Sequence, residues 1–370
     1  MKTICHLTSA HSRYDVRIFL KECCSIANAG YNVFLVVADG KGDEFKDKVN
    51  IIDTGILKGR FNRMFNTTKK VYKKALEINA DLYHFHDYEL IGAGLKLKKK
   101  GKIVIYDVHE NFPKAILDRE WMPKICRKPV SILVRMYENF TAKKFNYLLT
   151  ARRDIKARFK KVTRNAITIN NYPILNDLIA DERMKNINKT EISYVGVISK
   201  IRGIIEMVKS IRDLPVKLNL AGKFESKELR NEAVKTEGWE NVNELGVIER
   251  KKIKEILSSS FAGLVIFYPA ANHISTQPNK LYEYISASVP VICSNFPLWE
   301  SLISIYKCGI CVNPKNHEEI KKAIQYLYEN PQKAKEMGKN GRRAVEKFFN
   351  WKREEKKLLM VYKKILEGNR

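Results

Sequence analysis

Residues 277 to 293 read QPNKLYEYISASVPVIC, and the reading of the whole chain starts from them. Pro278 can open a helix, because its missing N–H is one that the first turn leaves unpaired anyway. Asn279, Lys280 and Glu283 then fall within the first turn or so, while Leu281 and Ile285 point inward at helical spacing. The β-branched run Val289 to Ile292 follows almost at once, as it does where a helix feeds a buried parallel strand. The pattern predicts a helix N-terminus at a cleft.

Free N–H groups and the positive dipole end make such a terminus a phosphate site, and Lys280 adds a full charge beside it. Glu283 is out of place against an anion unless the ligand also carries hydroxyls. A carboxylate accepts from two vicinal hydroxyls, as on a nucleotide's ribose. From these residues alone, a first-turn acid that complements the dipole remains the plainer reading.

PNKLYEY followed by PVI, YVGVISKIRG at 194 to 203 and YDVHE at 106 to 110 together resemble the retaining glycosyltransferases of family 4, of the bacterial polysaccharide type. The likeness keeps the family's order over essentially the whole chain. It implies an α/β chain with the GT-B fold: two Rossmann-like domains whose parallel sheets face a central cleft. It also implies that Glu283 binds the donor's ribose and that Arg202 and Lys280 bind its diphosphate. His109 would contact the donor sugar close to the bond being broken. Gly196 and Gly203 would let backbone approach phosphate closely. Ser275, Thr276 and Asn279, in and just after the loop AANHIST, would hydrogen-bond phosphate or sugar. Three features depart from the family: Ser275 stands where it has an earlier glutamate, Val197 where it has a basic residue, and the charged loop HSRYDVR where many members have a glycine pair facing the phosphates. Lys280 or Lys200 would supply the missing charge.

The chain has 370 residues, enough for two domains, with 45% hydrophobic and 29% charged residues. No secretory signal or apolar run of spanning length is visible, so a cytoplasmic protein is expected. The seven cysteines, an odd number, lie mostly in apolar segments and read as reduced small hydrophobes. The formal charge is +27, more than half of it in residues 1–180. Basic side chains crowd into 58–74, 96–102, 124–128 and 143–164. Such a field attracts nucleic acid, anionic lipid or phosphorylated substrates; general lysine enrichment explains the total better than the clustering.

In chain order, TICHLT and Asn32 to Ala38 read as strands around a helix from about Val16 to Ala29. The loop between them lacks the G-x-G-x-x-G fingerprint and instead carries His11, Arg13, Asp15 and Arg17. It reads either as a solvated charged loop or as a cleft lining, and His11, Asp15 and Arg17 are the candidates for the acceptor side. A strand at Leu82 to His86 ends in HFHD. His84 and His86 share a face, but the sequence offers no obvious third and fourth ligand, so no metal site is expected and His86 is placed facing the cleft. Residues 113–145 hold no clear strand and mix Trp121, Met122, Ile125, Ile132 and Leu133 with basic residues. In membrane-associated relatives helices here face the bilayer, while helical spacing alone suits a core helix equally well.

The polar break at 181–189 places a boundary between residues 1–183, the acceptor domain, and 184–350, the nucleotide-sugar domain. A helix over 351–370 is expected to return to the first. The function implied is transfer of a hexosyl or N-acetylhexosaminyl group from a UDP-linked or other nucleoside diphosphate sugar to a glycan or lipid-linked acceptor in cell-surface polysaccharide synthesis. No cofactor is expected, and no D-x-D occurs that could hold a metal on the diphosphate. The expected place of work is the cytoplasmic side of an anionic membrane surface. Two other readings are a catalytically silent sugar-nucleotide binder and a nucleic-acid-binding protein. The second would need base-stacking aromatics among the basic clusters, and no such module is visible.

Overall fold

Parallel strands covered on both faces need near-continuous apolar runs, and segments such as NVFLVV, IVIYDV and SFAGLV supply them. The computed structural model describes residues 1–57, 59–117, 119, 122–179, 189–276 and 278–368. The chain divides into two units: Met1–Asn171 with Trp351–Arg370, and Tyr172–Asn350. The expected boundary at 183/184 lies outside the described residues, as does Trp121.

Unit 1 is built on eight strands: β1 (Thr3–Leu7), β2 (Asn32–Val37), β3 (Glu44–Lys46), β4 (Val49–Asp53), β5 (Leu82–Phe85), β6 (Ile103–Val108), β7 (Tyr147–Thr150) and β8 (Ala166–Thr168). Their order is β3-β4-β2-β1-β5-β6-β7-β8, parallel except for the β3–β4 pair. Strand order reverses between β1 and β5, which pair in parallel with His6 beside His84. Open α/β sheets bind ligands beyond the carboxyl ends of the strands at such a reversal. The core holds Leu7, Val36, Phe85, Tyr106 and Phe159. The terminal helix Trp351–Glu367 belongs to this unit, where Trp351 Nε1 donates to Ser25 Oγ at 3.0 Å and Glu354 accepts from the backbone N–H of Asn170.

Unit 2 carries β9 (Glu191–Val195), β10 (Lys217–Ala221), β11 (Val242–Gly246), β12 (Ser260–Val265), β13 (Val291–Ser294) and β14 (Gly309–Val312), all parallel, in the order β11-β10-β9-β12-β13-β14. Here the reversal falls between β9 and β12. The loops after those two strands carry Gly196 to Gly203 and Ile266 to Phe267. Buried helices pack on both faces of the sheet around Ile192, Leu218, Leu264 and Ile324 on one side and Val265, Leu281, Ile285 and Trp299 on the other. β3 is only three residues long and β11 carries three polar or glycine positions in five, so neither has the apolar run of a central strand.

Candidate active site

At the reversal point of unit 2 the chain leaves β9 through Gly196, whose φ of +132° disfavours any side chain. A Cβ at 196 would stand 2.6 Å from Lys280 Nζ and 3.9 Å from Arg202 Nη1. The glycine therefore makes room for two cations against bare backbone. Gly203 (φ +64°) ends the short turn Lys200–Arg202 and starts the helix Ile204–Ser210, and a Cβ there would meet Ile266 Cγ2 at 2.7 Å. Arg202 Nη1 donates to the Val197 carbonyl at 3.1 Å, and Tyr194 Oη donates to the same oxygen at 2.6 Å. The Val197 side chain is half exposed, so its departure from a basic residue removes a charge without disturbing the core.

The helix Asn279–Ser286 begins after Pro278, with Asn279 exposed and Lys280 in its first turn. The Lys280 stem is partly exposed, but its Nζ is covered and has no hydrogen-bond partner among the described residues. It lies 3.8 Å from the centre of the Tyr194 ring and 5.8 Å from that of Phe267. Burial, and then the charge of Arg202, hold its pKa well below the ordinary lysine range, with Glu283 pulling the other way. A covered ammonium facing a second cation is costly unless an anion joins them. One turn on, Glu283 Oε1 accepts from Arg250 Nη1 at 3.0 Å, and Arg250 Nε also donates to Asp177 at 2.6 Å. Glu283 Oε2 has no hydrogen bond among the described residues. Ser275 caps the short helix Ala271–Ile274. Thr276 donates to the His273 carbonyl, and its own carbonyl accepts from Trp299 Nε1, which pins the loop before the helix Asn279–Ser286.

At the reversal point of unit 1, five of the seven histidines converge. His6, His84 and His86 are buried, and burial holds all three well below the ordinary imidazole range. His109 Nε2 is 2.9 Å from Asp107 Oδ2, and its side chain is 18% exposed. Burial alone would raise the pKa of Asp107, but Arg17 and His109 outweigh it and keep the carboxylate ionised. Next to it, burial and then the Asp107 charge push the Glu22 carboxyl well above the ordinary range. His11 sits above this layer, with Nδ1 3.4 Å from Asp15 and Nε2 3.4 Å from Asp87. Burial lowers its pKa, but the hydrogen bond to Asp15 and the Asp87 charge more than reverse that. Its ring centre is 5.2 Å from that of His109. Asp87 also gathers Thr8 Oγ1 and the N–H groups of Ser9 and Ala10, so the first loop folds around one carboxylate.

The acceptor-side expectations divide on burial. His11 and Asp15 are partly exposed, with Asp15 capping the helix that starts at Val16 by accepting from Arg17 N and Ile18 N. Arg17 and His86 are not at the surface, which corrects the sequence reading of both. Arg17 is buried, and its guanidinium is taken up by Asp107 and the Ile169 carbonyl, because a covered cation needs a full set of acceptors. His86 lies beneath His109. Arg13, in the same loop, is locked on Asp39 and Glu44.

The structure also corrects the expectation that H-x-H lacks companions. His6, Glu22, His84 and His86 form one group close enough to share a cation, and His86, Asp107 and His109 form a second. In the second group, however, Asp107 Oδ2 already accepts from Arg17 and His109, and both nitrogens of His86 are within hydrogen-bond distance of another imidazole. Hydrogen bonds thus account for its donor atoms. The residues that sequence reasoning missed are Asp107, His6, Tyr362, Arg250 and Tyr194. The available signal was polarity at strand ends: Thr8, His86-Asp87 and Asp107 interrupt runs that are otherwise apolar.

Residues 20–170 match the model described as Glycosyltransferase Family 4, and residues 177–344 match that of Glycosyl transferases group 1. D-rhamnosyltransferase WbpZ of Pseudomonas aeruginosa is 23% identical over 240 residues, 63% of this chain and 61% of that protein, so the match spans about three fifths of the relative's length. Among solved structures, sucrose-phosphate synthase (tll1590) from Thermosynechococcus elongatus superposes with a TM-score of 0.79 at 15% identity, covering 100% of both chains. Anabaena Alr3699/HepE in complex with UDP-glucose gives 0.73 at 14%, covering 98% of this chain and 99% of that one. These likenesses establish the GT-B fold. With one glycosyltransferase model matching each of its two α/β units, the comparisons support a group 1 glycosyltransferase.

Proposed function

We propose that the protein transfers a hexosyl or N-acetylhexosaminyl group, with retention of configuration, from a UDP-sugar or another nucleoside diphosphate sugar to a glycan or lipid-linked acceptor in cell-surface polysaccharide synthesis. The observation that carries this reading is the covered, unpartnered ammonium of Lys280 beside Gly196 and Arg202. A diphosphate supplies the two negative charges that this pair lacks, and as a leaving group it develops the charge that the pair would stabilise. Arg202 and Lys280 perform that task without a metal ion. Glu283, steadied by Arg250, takes the ribose hydroxyls. Within unit 1, His109 is the residue assigned to the sugar, and His11 and Asp15 are those assigned to the acceptor. UDP is the first nucleotide to try because HepE was solved with UDP-glucose.

The test is incubation with UDP-, GDP- and dTDP-sugars and lipid-linked or soluble glycan acceptors, with the anomeric configuration of the product read by NMR. Retention in a new glycosidic bond supports the reading. An inverted product, or donor binding with no transfer to any acceptor, contradicts it, and the latter result favours the silent binder.

A membrane-bound acceptor is supported by the helix Lys124–Ala142. Among the described residues no helix is long and apolar enough to cross a membrane. Yet this helix exposes Ile125, Leu133, Met136 and Phe140, each more than 60% accessible, beside Lys124, Arg127, Lys128 and Arg135. An apolar stripe flanked by cations suits the boundary of an anionic bilayer. We infer that the protein works at the cytoplasmic face of such a surface.

A further inference from the structure

Cys293, Cys308 and Cys311 belong to one apolar cluster of unit 2; the first two are wholly buried, and Cys311 is partly exposed. In sequence Cys308 and Cys311 form a C-x-x-C. The sheet pairs Cys311 differently. β13 and β14 run parallel with Cys293 beside Cys311 in register, and their sulfurs are 3.7 Å apart. Cys308 precedes β14 and makes no sulfur–sulfur hydrogen bond among the described residues. Neighbouring strands lie about 4.7 to 4.9 Å apart, inside the Cα separation of roughly 4.4 to 6.8 Å that a disulfide spans. The sulfurs must close from 3.7 Å to a bond of about 2.05 Å. β14 ends the sheet and is bonded to one neighbour only, so it is the strand that can follow.

The two thiols differ in character. A hydrogen bond from Cys293 holds the Cys311 thiol below the ordinary range, against the effect of burial. The same contact, and then burial, push Cys293 well above it. A thiolate is the nucleophile, so the accessible Cys311 is the sulfur that meets an oxidant, and Cys293 is the sulfur that displaces the product. With hydrogen peroxide, the Cys311 thiolate takes one oxygen, the O–O bond breaks, hydroxide leaves, and Cys311 becomes a sulfenic acid. The Cys293 sulfur then attacks the Cys311 sulfur, the S–O bond breaks, and the hydroxyl departs as water with the Cys293 proton. Two thiols lose two electrons and two protons, and one peroxide becomes two waters. In a reducing compartment such a pair rests as thiols and closes transiently.

We propose that Cys293 and Cys311 are a reversible oxidation site that closes as a disulfide between β13 and β14, without Cys308, and that its closure is felt at the loop after β12. The link is the next residue. Ser294 Oγ accepts from Phe267 N at 2.7 Å and donates to the Phe267 carbonyl at 2.8 Å. The centre of the Phe267 ring lies 5.5 Å from the Arg202 guanidinium and 5.8 Å from Lys280 Nζ. Drawing Cys293 towards Cys311 moves the residue that clamps Phe267. A nucleotide beside that loop rests on the glycosyltransferase reading; the disulfide does not.

The test uses the whole chain carrying Cys126→Ser, which removes the one exposed thiol among the described residues. The protein is treated with a small excess of hydrogen peroxide, alkylated, and mapped by peptide mass with and without dithiothreitol. The expected result is a cross-link of Cys293 to Cys311 with the loss of two hydrogens, reversed by dithiothreitol and absent in Cys311→Ser. A cross-link of Cys308 to Cys311, or Cys293 still alkylated after Cys311 has been oxidised further, overturns the site. If Cys311→Ser does not fold, the map of its parent decides. Titration of UDP, GDP and dTDP into oxidised and reduced protein reads the coupling, and the Kd of whichever binds should differ at least threefold between the two forms. An equal Kd overturns the coupling. If none of the three binds the reduced protein, the donor reading fails and the coupling fails with it, while the cross-link still decides the oxidation site.

Discussion

Glu283 Oε1 and Arg250 Nη1 are 3.0 Å apart, an ion pair that ties the helix Asn279–Ser286 to the first residue of the helix Arg250–Ser259. The pair fixes one carboxylate oxygen and leaves the other without a hydrogen bond among the described residues, which the proposed function gives to the donor's ribose. Glu283→Ala should lose about 1.5 to 3 kcal/mol of donor binding, the worth of a hydrogen bond to a charged group. Arg250→Met should raise the donor KM by a smaller factor, because the carboxylate remains but is no longer aimed. Donor KM and kcat measured on both variants check this, and equal effects of the two would show that Glu283 acts only through Arg250.

Lys280 sits in a fold that disfavours its charge. Its folded pKa is lower than in the unfolded chain, so the cost to stability is fully present below the folded pKa and is lifted as pH rises towards the ordinary lysine range. Lys280→Met should therefore raise the melting temperature of the free protein while weakening nucleoside diphosphate binding at least tenfold. Binding should also take up protons near and above the depressed pKa, and affinity should fall as pH rises through it. Calorimetry in buffers of different ionisation enthalpy measures the uptake.

Gly196→Ala places a methyl against Lys280 Nζ and forces a side chain to φ +132°. Backbone strain of this kind costs about 1 to 3 kcal/mol. Denaturant unfolding should show that loss, and donor binding should fall because the added carbon occupies the place proposed for the diphosphate. Normal donor affinity in this variant would move the phosphates elsewhere.

Much of this was legible in the sequence because it is local. PNKLYEYISASVPVIC contains its own helix start, inward face and following strand, and the structure has the helix at Asn279–Ser286 and β13 at Val291–Ser294. Gly196, Arg202 and Gly203 lie within eight residues of one another and were read as one loop. The support of the site was not legible, because it is built by pairing distant segments. Arg250 reaches Glu283 across 33 residues, His6 meets His86 across 80, and Tyr362 meets His84 across 278. Only the strand order β2-β1-β5-β6 puts the polar ends of three strands side by side. Arg17 was misassigned for the same reason: in sequence it is a loop cation, and in the fold it is the counter-charge of Asp107.

For the membrane-facing reading, Ile125, Leu133 and Phe140 changed together to Ser should reduce sedimentation with anionic vesicles without loss of stability, since all three are exposed. Lys124, Arg127 and Lys128 changed to Gln should weaken binding by about 1 kcal/mol per charge at low salt. Binding that is the same to neutral and anionic vesicles, or that survives both sets of changes, would leave the acceptor a soluble one.

The central claim is that unit 2 holds a nucleoside diphosphate between Lys280, Arg202 and Glu283 without a metal ion. The most direct measurement is calorimetric titration of UDP, GDP and dTDP, in excess EDTA, into the wild-type protein and its Lys280→Met and Glu283→Ala variants. The account predicts saturable binding of at least one of the three to the wild type, tenfold or more weaker in each variant and altered only by a small factor when Mg²⁺ replaces EDTA. Binding that requires the divalent ion, or that is equally tight in both variants, would contradict it.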